Sequence, residues 1–219
     1  MNSRDTKLKL ADLRKSYDKG ILDLNHVKDN PLQFFQTWFN EAKESDAIDE
    51  SNAMSLTTLG DDGFPRARVV LLKDFSEEGF VFFTNYNSEK GKSLVKHPKV
   101  GLSFYWPNLE RQIIIKGEAE KLSKNKSDQY FDSRPRGSQL GAHVSPQSEV
   151  IPNRKFLEDL QSSLEKKFQN KDIPRPEHWG GILVRPYEIE FWQGRPNRLH
   201  DRINCYLDGI DWIAKRLAP

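Results

Sequence analysis

The chain has 219 residues, with 34 Lys and Arg against 32 Asp and Glu and a formal net charge of +2. This balance lacks the broad positive field of a dedicated nucleic-acid binder, so local clusters must carry any anion recognition. A hydrophobic share of 36% supports a packed core, while a single cysteine, Cys205, excludes an intrachain disulfide and a cysteine-built zinc site; the five histidines follow no metal-ligand spacing.

In chain order, Met1 to Leu10 carries no apolar signal core, and no later run approaches the ~20 apolar residues that span a bilayer, so a soluble cytoplasmic protein of one domain is expected. Lys7 to Lys19, interrupted by Asp12 and Asp18, reads as a solvated face, as does Lys166 to Arg175 around Asp172. Asn30 before Pro31 is a helix start, and Leu32, Phe35, Trp38, Phe39 and Ala42 then recur at helical spacing. Met54 to Leu59, the turn Asp61-Asp62-Gly63 and Arg66 to Lys73 read as a hairpin, followed by a strand over Phe80 to Thr84. Ser88 caps a short helix to Lys96, stopped before Pro98; Val100 to Tyr105 and Arg111 to Leu122 are further strands. A helix from about Ser123 to Arg134 ends at Pro135, and the residues after it read as loop. Pro152 to Gln169 repeats apolar residues at helical spacing, and three or four strands run from Trp179 to Leu217.

Short, closely spaced strands with helices grouped between them predict a mainly β protein with attached helices (α+β), built on an antiparallel barrel. No Gly-rich phosphate loop follows a strand, so any phosphate must be held by side chains.

Three clusters offer such side chains. In an extended chain Arg198, His200 and Arg202 share one face, which fits either an anion opposite them or a solvent-exposed edge made polar against aggregation. Arg68 and Lys73 flank an apolar strand centre and point to opposite faces, as separate anchors or as snorkelling surface cations. Tyr130 and Arg134 are i, i+4 neighbours that Ser138 approaches from the loop, a phosphate pocket or a helix end carrying a dipole-compatible arginine.

Taken together, Arg68-Val69-Val70-Leu71-Leu72-Lys73, Phe83-Thr84-Asn85, Leu109-Glu110-Arg111-Gln112, Tyr130 to Arg136, Gln147-Ser148, Glu190 to Gly194, Arg198 to Arg202 and Arg216 to Pro219 resemble the pyridoxine/pyridoxamine 5'-phosphate oxidase family, in family order over nearly the whole chain. The resemblance implies an FMN-binding split β-barrel homodimer that oxidises pyridoxine 5'-phosphate or pyridoxamine 5'-phosphate with O2, by hydride transfer from substrate C4' to flavin N5. It gives Arg68, Val69, Val70, Leu71, Leu72, Lys73, Phe83, Thr84, Lys90, Gln112, Gln147, Ser148, Trp192 and Arg202 to FMN. Lys73, Tyr130, Arg134 and Ser138 fall to the substrate phosphate, Arg198 and His200 to the substrate ring as the catalytic pair, and Arg14 and Tyr17 to an N-terminal segment, residues 1–28, that closes over the site. Glu89 departs from the family's arginine and cannot donate to a phosphate, so it is left out. A split-barrel reductase with another substrate, a non-catalytic carrier of FMN or pyridoxal phosphate, and a weak nucleic-acid binder are the other readings.

Overall fold

The structure, a computed structural model, describes residues 13–27 and 30–219; the expectations for Met1 to Leu10 lie outside them. Helix α1 (Pro31–Glu44) starts as its sequence predicts, with the Asn30 side chain accepting from the Leu32 and Gln33 N–H groups and proline in the first turn. Its apolar stripe buries Leu32, Phe35, Trp38 and Ala42. Phe35 is fully buried, edge-on to Phe75, Phe80 and Phe104 at ring separations of 5.0, 4.9 and 5.3 Å. This aromatic knot fastens α1 to the inner face of the sheet.

The sheet is antiparallel: β1 (Ala53–Leu59), β2 (Pro65–Leu71), β3 (Asp74–Ser76), β4 (Gly79–Asn85), β5 (Lys99–Trp106), β6 (Arg111–Lys121), β7 (Trp179–Gln193), β8 (Asp201–Asp208) and β9 (Asp211–Leu217). Its order is β2-β1-β5-β6-β7-β4-β3, with β8 on β7 and β9 on β8. Strand β7 makes the barrel a split one. One edge pairs with β6 from Ile182 to Gln193, while the other pairs with β4 over Trp179–Val184 and with β8 over Glu188–Gln193. The strand changes partners where Pro186 stands opposite Gly117, at a register shift between Lys116 and Gly117. Proline donates no ladder hydrogen bond, so it suits the point where one neighbour ends and the next has not begun.

Helix α2 (Glu89–Lys96) is capped by Ser88, α3 (Lys124–Asp132) by Ser123 and α5 (Arg154–Lys167) by Asn153. The segment read as loop after Pro135 is instead helix α4 (Arg136–Val144), which buries Leu140, Ala142 and Val144. Gly137 and Gly141 lower its helix propensity and hid it; packing on Phe131, Ile173 and Trp179 supplies what propensity lacks. The short β3 also escaped prediction, and the strands from Trp179 onward number three.

Two charged segments are less solvated than expected. Lys15 and the backbone of Asp18 and Lys19 engage Glu110, and Arg175 is nearly buried in an ion pair with Asp128 at 2.6 Å. Among the described residues no helix is long and apolar enough to cross a membrane.

Candidate active site

The first cleft, about 430 Å³, opens where the end of β2 meets β4 and the corner between α3 and α4. Val69, Val70 and Leu71 form one wall, and Phe83 and Thr84 another. Lys73, Lys90 and Arg134 line it with Tyr130, Ser138 and Gln147, and among the described residues no carboxylate joins them. Phe83, Tyr130 and Trp179 stack nearly parallel at its base, Phe83 and Tyr130 only 3.7 Å apart.

Burial governs the cations in and beside this cleft. Burial above all, and then Arg68 nearby, push the Lys90 ammonium below its ordinary pKa, with Glu89 opposing. Burial likewise lowers Arg68, whose guanidinium donates to Thr58 Oγ1 at 2.6 Å. Burial also lowers Arg134, against the opposing effect of Tyr130, and the buried Arg134 Nη1 has no hydrogen-bond partner among the described residues. A cavity walled by depressed cations and an orphaned guanidinium donor fits an anion. Lys90, at the start of α2, and Lys73, Tyr130, Arg134 and Ser138 all line this one cleft.

Ser138 comes from the first turn of α4 rather than from a loop. Lys90 Nζ donates to Gln147 Oε1 at 3.0 Å, and Ser148 Oγ accepts from the Glu89 N–H at 3.2 Å, so the 147–148 turn is tied to the start of α2. Ser148 adopts a left-handed φ of 75° there. Glu89 itself turns away to pair with Arg66. Leu72 is not in the wall: its side chain is in the core, and its N–H and carbonyl are both bonded to Asn52.

The second cleft, about 680 Å³, lies at the other end of β7 and is lined by Arg14, Tyr17, Trp192, Arg195, Arg198 and His200, among others, again without a carboxylate among the described residues. His200 packs on Trp192 at 4.6 Å, and Tyr17 stands edge-on to Trp192 and 5.8 Å from His200. His200 Nδ1 accepts from the Arg195 N–H at 3.1 Å, which leaves Nε2 to carry the proton of the neutral ring.

The extended row expected for Arg198, His200 and Arg202 is not formed. Pro196–Arg198 is a 3-10 turn in which Asn197 and Arg198 have φ of 58° and 62°. Proline at its start and left-handed backbone after it break the strand, so alternation holds only from Asp201 onward. Arg202 registers with Trp192, and Trp192 with Gln112, which places the three side chains on one sheet face. Arg202 is already gripped by both Glu190 oxygens at 2.7 and 3.0 Å, and donates to the Ala218 carbonyl.

Sequence reasoning missed Trp179, the platform 4.4 Å beneath Arg134, and Arg195, held by Asp201 at 3.1 Å. Trp179 carried only the signal of a strand start; its place across from Asn85 depends on strand pairing.

Two family models match the chain: one described as pyridoxamine 5'-phosphate oxidase over residues 41–160, and one described as the pyridoxine 5'-phosphate oxidase C-terminal dimerisation region over residues 179–219. The chain belongs to the pyridoxine/pyridoxamine 5'-phosphate oxidase family. A pyridoxine/pyridoxamine 5'-phosphate oxidase of Flavobacterium johnsoniae is 56% identical over 211 residues, covering 95% of this chain and 98% of the relative. One from Christiangramia forsetii is 52% identical over 210 residues, covering 96% and 98%. Among solved structures, PhzG from Burkholderia lata 383, in complex with tetrahydrophenazine-1-carboxylic acid, superimposes with a TM-score of 0.85 at 27% identity, covering 94% of this chain and all of that one. Most of the first cleft lies in the oxidase region, whereas Trp192, Arg195, Arg198 and His200 of the second lie in the region that the family model describes as dimerising.

Proposed function

We propose that this member of the pyridoxine/pyridoxamine 5'-phosphate oxidase family binds FMN and converts pyridoxine 5'-phosphate or pyridoxamine 5'-phosphate to pyridoxal 5'-phosphate. Oxygen is the final acceptor and leaves as hydrogen peroxide; the amine also takes up water and releases ammonia. The observation that carries this reading is the first cleft, which among the described residues has three cations, no carboxylate and an Arg134 donor left without an acceptor. Two phosphates, one from cofactor and one from substrate, match its two groups of cations.

FMN, when bound, supplies the hydride acceptor at its N5 atom. The chain's own tasks are binding, orientation and charge balance. Arg68, Lys90, Gln147 and Ser148 would hold the cofactor phosphate, with Val69, Val70, Leu71 and Lys73 and the Phe83–Thr84 strand along the flavin. Lys73, Tyr130, Arg134 and Ser138 would hold the substrate phosphate. Arg198 and His200 would set the substrate ring, with the His200 Nε2–H offered as a donor.

A homodimer is part of the proposal. Within one chain the clefts are separated by β7 from Trp179 to Trp192, roughly 40 Å of strand. One ligand meets both sets only if a second copy brings its dimerisation region to the first cleft. Gln112, Trp192 and Arg202 would then reach the flavin of the partner subunit.

The test is optical. Purified protein should be yellow, sediment as a dimer, and lose its flavin absorbance anaerobically on addition of pyridoxine 5'-phosphate, regaining it with oxygen. A colourless protein, or a flavin unaffected by that substrate, refutes the proposal.

A further inference from the structure

Glu110 closes the turn between β5 and β6, and it is 1% exposed. Its Oε2 accepts from the backbone N–H groups of Asp18 at 2.8 Å and Lys19 at 3.0 Å. Its Oε1 accepts no hydrogen bond among the described residues and faces the Lys15 ammonium at 3.6 Å. All three partners belong to the stretch that brings Arg14 and Tyr17 to the second cleft.

The other side of Glu110 is tied to β7. Its carbonyl accepts from the Gly194 N–H at 2.7 Å and from Gln193 Nε2 at 3.3 Å. A Cβ added at Gly194 would press on both Tyr17 and Glu110, and one at Gly20 would strike the Gln193 amide, so the three segments meet without space for a further carbon. Glu110 also holds a left-handed φ of 57°, a conformation that glycine or asparagine adopts at lower cost. A long carboxylate at such a position, withdrawn from water and matched by the N-terminal stretch, indicates that the carboxylate itself is needed.

We propose that Glu110 is a positioning residue: its carboxylate latches Lys15 to Lys19 against the end of β7, and so holds Arg14 and Tyr17 over the second cleft. The importance of that closure for turnover rests on the reading of this cleft as part of the substrate site. The latch itself does not. Glu110 touches none of the residues proposed to hold phosphate, so it acts only through the strap.

Glu110→Gly removes the carboxylate and relaxes the backbone, which favours a folded variant; Glu110→Gln keeps one acceptor oxygen but loses the charge. In the flavin-loaded full-length protein, trypsin cleavage after Lys15 and Lys19, followed by mass spectrometry, should accelerate about ten- to a hundredfold in Glu110→Gly, the factor expected for losing charge-assisted hydrogen bonds, and by less in Glu110→Gln. Bound flavin and Tm should stay near wild type. KM for pyridoxine 5'-phosphate should rise about tenfold, with kcat changing less. Combining Glu110→Gly with Tyr17→Ala should raise KM no further than the worse single variant. Unchanged cleavage would overturn the latch, and additive KM effects would overturn action through the strap. Faster cleavage with an unchanged KM would uphold the latch and instead refute the assignment of this cleft to substrate.

Discussion

The Arg134 guanidinium lies 4.4 Å over the Trp179 ring, while its Nη1 is buried without a hydrogen-bond partner among the described residues. The ring fixes the plane of the fork, and Arg134 lines a cleft that also presents Lys73, Tyr130 and Ser138. Arg134→Ala should therefore raise KM for pyridoxine 5'-phosphate by about ten- to a hundredfold, the loss expected for a charged hydrogen bond, and leave the flavin bound. Arg134→Lys should recover only part, because an ammonium is not bidentate. Steady-state kinetics with flavin absorbance on the same samples decides it; equal flavin loss and an unchanged KM would refute the assignment.

Lys90 supplies a pH signature. Burial, and secondarily Arg68, hold its pKa below the ordinary lysine value of 10.5. Its charged form is disfavoured in the free protein but favoured by a bound phosphate. As pH rises through the depressed pKa toward 10.5, the ammonium is lost first from the free protein, so FMN binding should weaken at a lower pH than an ordinary lysine would give. Lys90→Arg should flatten this alkaline fall, since arginine stays charged. Fluorescence titration of FMN against pH would show it, and identical profiles for the two proteins would exclude Lys90.

Arg198 and His200 should affect the chemical step. Each would contribute a positioning hydrogen bond, worth about 1.5 to 3 kcal/mol or about ten- to a hundredfold in rate. His200→Asn and Arg198→Ala should keep the flavin and slow anaerobic flavin reduction under saturating substrate, Arg198→Ala more severely. Arg202→Ala should differ: it frees Glu190 and the Ala218 carbonyl, and should loosen both the cofactor and the C-terminal strand. Stopped-flow reduction at the wild-type rate in the first two variants would remove them from the reaction site.

Phe35 tests the core. Removing a fully buried ring that touches Phe75, Phe80 and Phe104 should cost about 3 to 5 kcal/mol and lower Tm by roughly 10 °C. Differential scanning calorimetry of Phe35→Ala would measure it; a shift under about 2 °C would show that α1 does not fasten the sheet.

The sequence by itself determined what local rules govern. The Asn30-Pro31 start of α1, the turn that joins β1 to β2 and the Ser88 cap of α2 are fixed by residues a few positions apart, and each is present at its expected place. Of the cations that the family motifs named, Lys73, Lys90 and Arg134 line the first cleft. Tertiary structure decided what depends on distant partners. Helix α4 forms despite two glycines because Leu140 and Ala142 reach Trp179 and Ile173, and that helix delivers Ser138. Arg198 leaves the predicted strand in a left-handed turn, whereas Arg202 stays in one and is matched by Glu190 on the neighbouring strand. Lys15, Asp18 and Lys19 read as solvated until the fold sets Glu110 against them, some ninety residues along the chain. Spacing in sequence encodes the direction of a side chain along its own element; which charge meets which is settled only when separate elements pack and exclude the water between them.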